Sequence, residues 1–347
     1  MSVDRFEIVP GFSISRIVKG GWQLSHGHSQ HGGQNPIEDM FAFADAGITT
    51  FDCADIYTGV EELIGTFLKE RKKRFCSHHD IQVLTKCVPD YDALSTISKK
   101  YVEKIIDRSL HRLGVERLDM VQFSWWTYDI PGWIETARWL SEMQQAGKIR
   151  LISATNFNAS HTREIIEAGV KLATLQVQYS LLDNRPEKGL IDLCQKHDIN
   201  LLCYGTVAGG FFSERWLNMP EPTPPFENRS QVKYKLMIEE FGGWLLFQEL
   251  LSVLQSIAKK HQVSLAQVAM RYMLNRKQVA ATIIGAKTGD HLVENIRVFD
   301  LHLEDTDIVE IENVLKKRKG PLADVFDIER IKDGPHGLIM KYNLNQP

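Results

Sequence analysis

The stretch LDMVQFSWWTYDIPGWIETARWLSEMQQAGKIRLISAT (residues 118–155) opens on a short apolar run and closes on a second, β-branched one. Between them, Trp133, Ala137, Leu140 and Met143 recur at the spacing of one helix face, and Gly147 follows where a left-handed helix cap is expected. The two flanking runs are mainly apolar or β-branched without strict alternation, as in strands buried on both faces. A strand, a helix and a strand in this order make one βαβ unit with parallel strands.

The same alternation extends outward in both directions. Further strand runs are SRIVKG (15–20), ITTFDC (48–53), IQVLTK (81–86), LATLQVQ (172–178), INLLCYG (199–205) and VAATIIG (279–285), which with LDMVQF and IRLISAT makes eight. Helical patterns such as PIEDMFAFADAG and YVEKIIDRSLHRLG separate them, and Gly47, Gly114, Gly147 and Gly169 end several. No GxGxxG follows any strand, so a doubly wound dinucleotide fold is disfavoured and eight units predict a closed (β/α)8 barrel. The whole chain, 1–347, reads as one barrel domain, with the barrel over about 16–300. FEIVPGFSI (6–14) predicts an N-terminal hairpin turning at Pro10-Gly11, LEDTDIVEIENVLKK (303–317) an extra helix, and the remainder to 347 an irregular tail. MPEPTPPFENRS (219–230) is too rich in proline for regular structure, and this loop and the tail GPLADVFDIERIKDGPHGLIMKYNLNQP (320–347) are expected to border the opening of the site.

Hydrophobic residues at 43% and charged residues at 24% are the proportions of a folded chain with a sizeable core. The formal charge of −3 leaves no basic excess to drive phosphate-backbone binding, so nucleic acid is not expected as a partner. No apolar stretch approaches the length of a membrane span and MSVDRFEIVP lacks the pattern of a secretory signal, which together suggest a cytoplasmic protein. Cys53, Cys76, Cys87, Cys194 and Cys203 form no CxxC pair and read as reduced thiols. The basic run from Lys69 to Arg74 reads as the solvated last turn of a helix, where cations suit the dipole.

In such barrels the carboxyl ends of the strands converge on the active site. Those ends carry Asp52 with Tyr57 just beyond it, Lys86, Ser124 with Trp125 and Trp126, Thr155 and Asn156, Gln176, Tyr204, and a GAKT segment containing Lys287. Tyr57, Lys86 and Asp52 have a joint logic: an ammonium beside a phenol favours the phenolate, and a carboxylate keeps the ammonium charged. Tyr57 would then be a tuned general acid. Trp22, Trp125 and Trp126 are expected to wall a pocket for flat or apolar substrates.

The strings FDCADIYTGVEELIG, LTK, LDMVQF, SATNF, LQVQYSLLDN, CYGTVAGG and IIGAKTGDHLVEN follow one another from about Gly20 to Asn295. In them the sequence resembles the aldo-keto reductase superfamily. The resemblance implies a cytoplasmic NADP(H)-dependent oxidoreductase that reduces an aldehyde or ketone to an alcohol. Asp52, Tyr57 and Lys86 match three members of its catalytic tetrad, with Tyr57 as proton donor. Thr155, Asn156 and Gln176 match the groups that hydrogen-bond the nicotinamide carboxamide, and Tyr204 the aromatic ring that stacks on the nicotinamide. Gly205, Gly209 and Gly210 match the cover of the pyrophosphate, and Lys287, Thr288, His291 and Asn295 the adenosine end. A cation there favours NADP over NAD.

The fourth tetrad member should be histidine, and its position holds Ser124 between intact flanks Gln122-Phe123 and Trp125-Trp126. Three consequences stay open: a water bridging Ser124 to the carbonyl, a pocket retuned for another carbonyl, or an NADP(H)-binding regulatory or cofactor-sensing protein with negligible turnover. His26, His28 and His31 invite comparison with metal-dependent barrel hydrolases. No later strand ends in histidine, so no metal is expected and the tract reads as a glycine-rich loop.

Overall fold

A computed structural model describes residues 2–25, 35–76, 80–286 and 288–345. The histidine tract and Lys287 therefore lie outside the described residues.

The hairpin pairs β1 (Arg5–Val9) antiparallel to β2 (Phe12–Ser15). The chain then alternates strand and helix: β3 (Ile17–Gly20), α1 (Pro36–Asp45), β4 (Thr50–Asp52), α2 (Val60–Phe75), β5 (Gln82–Cys87) and α3 (Lys99–Leu113). It continues with β6 (Leu118–Phe123), α4 (Trp133–Gln145), β7 (Ile149–Thr155), α5 (Ala159–Glu167), β8 (Thr174–Gln178), α6 (Leu190–Lys196) and β9 (Asn200–Tyr204). Three helices, α7 (Arg229–Phe241), α8 (Trp244–His261) and α9 (Leu265–Leu274), precede β10 (Val279–Gly285). The chain ends with α10 (Leu292–Arg297), α11 (Asp305–Leu315) and α12 (Asp327–Arg330).

Strands β3 to β10 close into an eight-stranded parallel barrel in which β10 pairs with both β9 and β3. This is the (β/α)8 barrel expected from the sequence. Every residue of β5 and β8 is buried, which is why these strands read as unbroken rather than alternating runs. Gly47, Gly114, Gly147 and Gly169 all adopt positive φ behind their helices. The hairpin turns at Gly11, and Ile8, Phe12 and Ile14 pack against Val18, Leu84, Met120 and Leu202 of the barrel interior. A hydrogen bond of 2.9 Å from the Ser15 amide to Thr50 Oγ1 ties the hairpin down.

Two boundaries differ from expectation. The Pro-rich segment ends at Asn228, whose side-chain oxygen accepts the Gln231 amide at 3.0 Å, so Arg229 and Ser230 belong to α7. The tail is not wholly irregular, since it contains α12. All five cysteines are unpaired, with only Cys76 exposed. Lys72, Lys73 and Arg74 occupy the last turn of α2. Among the described residues, no helix is long and apolar enough to cross a membrane.

Candidate active site

A cavity of about 710 Å³ opens at the carboxyl ends of the strands. Trp22, Asp52, Tyr57, Lys86, Ser124, Trp126, Thr155, Asn156, Gln176, Tyr204, Gly205, Gly209, Gly210, Thr288, His291 and Asn295 all line it. Residues spread over some 270 positions are thus brought together because strand ends converge. Trp125 corrects the expectation. It is fully buried outside the cavity, donating Nε1–H to the Ile130 carbonyl at 2.9 Å, with its ring 5.9 Å from Phe123.

At the cavity floor, Lys86 Nζ donates to both oxygens of Asp52, at 2.7 and 2.8 Å, and to the Cys53 carbonyl at 2.9 Å. Asp52 Oδ1 also accepts from Gln122 Nε2 at 2.9 Å and Gln176 Nε2 at 2.6 Å. The buried charges of Asp52 and Lys86 are thus each paired and hydrogen-bonded, which is the condition for keeping them there. Lys86 Nζ stands 5.1 Å from the Tyr57 ring centre, and Trp22 flanks the same ring at 5.1 Å.

Burial pushes the Tyr57 phenol up to about 12, and the Lys86 charge only partly opposes it. The sequence had suggested the opposite net direction; desolvation outweighs the neighbouring cation here. Burial also acts to lower Lys86, but Asp52 and the Tyr57 oxygen outweigh it and the ammonium is held above its usual value. The result is a phenol that keeps its proton beside a lysine that keeps its charge. Ser124 is 6% exposed, its amide fixed to the Cys87 carbonyl at 3.0 Å, and its hydroxyl has no hydrogen-bond partner among the described residues.

The groups expected around a nicotinamide form one rim. Asn156 has left-handed φ of 62°, and its Oδ1 accepts from the Tyr204 hydroxyl at 2.8 Å. Thr155 Oγ1 is buried without a partner among the described residues, a polar atom at the cavity wall. Gly205, Gly209 and Gly210 have positive φ, and a Cβ on Gly209 would lie 2.7 Å from Tyr234 Cδ2 and 3.1 Å from the Ser230 backbone. Glycines in left-handed backbone and an unpartnered hydroxyl, among the described residues, on the same cavity fit the backbone-close approach of a dinucleotide. Gly209→Ala should raise the dissociation constant for such a cofactor by about tenfold, through left-handed strain of about 1–2 kcal/mol and displacement of Tyr234. Calorimetric titration checks this, and unchanged affinity would remove Gly209 from the site. At the far end, Thr288 donates to Asp290 at 2.6 Å and His291 Nδ1 lies 3.2 Å from Glu294.

A family model described as the "Aldo/keto reductase family" matches residues 16–316. The chain belongs to the aldo/keto reductase family. It is 24% identical over 317 residues to the NADH-specific methylglyoxal reductase of Escherichia coli, covering 85% of this chain and 93% of that one. It is 28% identical over 279 residues to an NADP(+) aldo-keto reductase of Schizosaccharomyces pombe, covering 77% and 78%. The glycerol dehydrogenase structure from Gluconobacter oxydans shares the fold, with TM-score 0.75 and 23% identity over 93% of this chain and 98% of that one. This aldo/keto reductase is accordingly an oxidoreductase of a family that works with nicotinamide cofactors.

The sequence reading missed part of its site. Gln122 reads from sequence only as an intact flank, although a polar residue in the apolar C-terminal half of a barrel strand is itself a signal of an inward hydrogen-bond network. The tail does border the opening as expected, with Phe326, Ile339, Met340, Lys341 and Leu344 lining the cavity, and the proline-rich segment reaches it at its end through Asn228, followed by Arg229 at the start of α7. Lys233 stands 4.8 Å over the Tyr204 ring. Trp126, fixed by Nε1–H to the Pro89 carbonyl at 2.8 Å, meets tail residue Tyr342 edge-on at 5.0 Å. No local pattern in the tail announces these contacts.

Proposed function

We propose that this reductase uses NADPH to convert the carbonyl of a small aldehyde or ketone to an alcohol. The observation that supports it most is the buried Asp52–Lys86 pair beside a half-buried Tyr57 that keeps its proton at the mouth of the barrel. When bound, the reduced nicotinamide supplies the hydride. Tyr57 donates its hydroxyl proton to the carbonyl oxygen as negative charge develops there. Lys86, anchored by Asp52, stabilises the phenolate left behind, and Gln122 and Gln176 hold that carboxylate still.

Asn156, Gln176 and Thr155 would hold the carboxamide, Tyr204 would stack on the ring, and the Gly205–Gly210 loop would cover the pyrophosphate. Thr288, His291, Asn295 and Lys287 would hold the adenosine end, where the Lys287 cation supports a preference for NADPH. Trp22 and Trp126, with the aliphatic Ile339 and Met340, favour flat or apolar carbonyl compounds over highly hydrated ones. Ser124, whose hydroxyl has no hydrogen-bond partner among the described residues, can reach such an oxygen through one water.

Seven tryptophans, two of them in the cavity, make quenching of intrinsic fluorescence a direct readout of binding. NADPH should quench at lower concentration than NADH, and a simple aromatic aldehyde added to the same cuvette should discharge nicotinamide absorbance. Ser124 favours a second reading, cofactor binding without turnover as a regulatory or sensing protein. Saturation by NADPH with no discharge by a panel of aldehydes would put that reading first, and no binding of either nucleotide would sink both.

A further inference from the structure

Residues beyond 316, where the family match ends, hold the turn after β7 from outside. That turn begins at Asn156, whose left-handed backbone is a conformation that costs energy unless its surroundings fix it. Its amide is fixed by β8, donating to the Gln176 carbonyl at 2.9 Å. Its carbonyl is fixed by the tail, for Arg330 Nη2 donates to Asn156 O at 2.7 Å and to Trp125 O at 3.4 Å. Two residues on, Asn158 Nδ2 donates to Asp327 Oδ1 at 3.4 Å, so α12 grips the turn at two points.

The grip is rigid. The Arg330 side chain is 8% exposed and its guanidinium lies 4.0 Å over the Tyr128 ring. The adjacent Glu329, wholly buried, takes both terminal nitrogens of Arg185 at 2.7 and 2.9 Å, and Arg185 is held in turn by Asp183. Bidentate pairing of this kind fixes geometry as well as charge. Asn156 carries the fixation onward, because its Oδ1 accepts the Tyr204 hydroxyl.

We propose that Arg330 is a positioning residue for the nicotinamide end of the cofactor site, acting through Asn156 and Tyr204 and locked in place by the Glu329–Arg185 pair. The inference rests on the dinucleotide reading given above. It makes the tail part of cofactor recognition as well as a wall of the cavity. The chemistry that Arg330 serves is recognition of the carboxamide-bearing ring, and the adenosine end should not sense its loss.

The test compares NADPH with adenosine 2′,5′-bisphosphate, which can occupy only the adenosine end. In Arg330→Met the dissociation constant for NADPH should rise about tenfold while that for adenosine 2′,5′-bisphosphate stays within twofold, both read by calorimetry. NADH and ADP replace them if the wild type prefers NADH. Arg330→Lys, which keeps one charged donor without the planar stack, should recover part of the loss. The proposal is overturned if both ligands weaken together with a lowered melting temperature, which marks a general structural brace, or if neither weakens. Failure of the wild type to bind either dinucleotide overturns the function reading and this inference with it. A normal wild type with an unchanged ratio in the variants overturns this inference alone.

Discussion

Tyr57→Phe should lower kcat for carbonyl reduction by about 10²–10⁴-fold while leaving NADPH affinity essentially unchanged, the range expected when a positioned general acid is lost. The ring remains to pack against Trp22, so the cavity keeps its shape and only the hydroxyl is removed. Lys86 cannot replace the proton donor at low cost. Its protons are already donated to Asp52 and to the Cys53 carbonyl, and its pKa is held above the usual value. The pH dependence follows from the direction of the Tyr57 shift. A phenol raised to about 12 is protonated at every pH from neutrality to well past 10, so the donor form is never in short supply over that range. Wild-type reduction should therefore show no alkaline inflection from this residue below about pH 11, and loss of the donor form should begin only as pH approaches the folded value. Single-turnover rates between pH 6 and 10 check this. A Tyr57→Phe variant that keeps wild-type kcat would move proton donation to another group and sink the assignment.

The barrel was readable because its strands are buried on both faces. That burial removes alternation and leaves short apolar runs such as IQVLTK and LDMVQF, each followed by a helix with its own period. Asp52, Lys86 and Tyr57 were readable for the opposite reason, as chemically expensive residues at strand ends where a packed core would not place them. The neighbouring tryptophans mark the limit of such reading. Trp125 and Trp126 follow the same strand, but consecutive side chains in extended chain point to opposite sides, so one enters the core and the other the cavity. Nothing in the pair says which. The direction of the Tyr57 shift was equally hidden, because it depends on how completely tertiary packing strips water from the phenol rather than on the identity of its neighbours. The tail contacts are longer in range still. Arg330 and Asn156 lie 174 positions apart, and no periodicity connects them.

Ser124→His should raise kcat/KM for small aldehydes by up to about 10²–10³-fold, the order carried by one preorganised donor to a developing oxyanion. The substitution enters a site built to accept it. The backbone at 124 is pinned by the hydrogen bond to the Cys87 carbonyl, the side chain faces the cavity, and no hydrogen bond of the serine hydroxyl among the described residues has to be broken. An imidazole reaches further than a hydroxyl, so it can contact the carbonyl directly where serine needs a bridging water. The Lys86 ammonium in the same cavity disfavours a second cation, which keeps the imidazole neutral and able to donate from one nitrogen. Because the change acts at the reacting oxygen, it should appear in kcat and leave NADPH affinity alone, and the pairing of those two readouts separates the alternatives. A gain in turnover at constant cofactor affinity identifies Ser124 as the element that slows an otherwise competent reductase. If NADPH still binds but turnover stays negligible, a missing donor is not what limits the chemistry, and a protein that holds the cofactor without spending it becomes the better description.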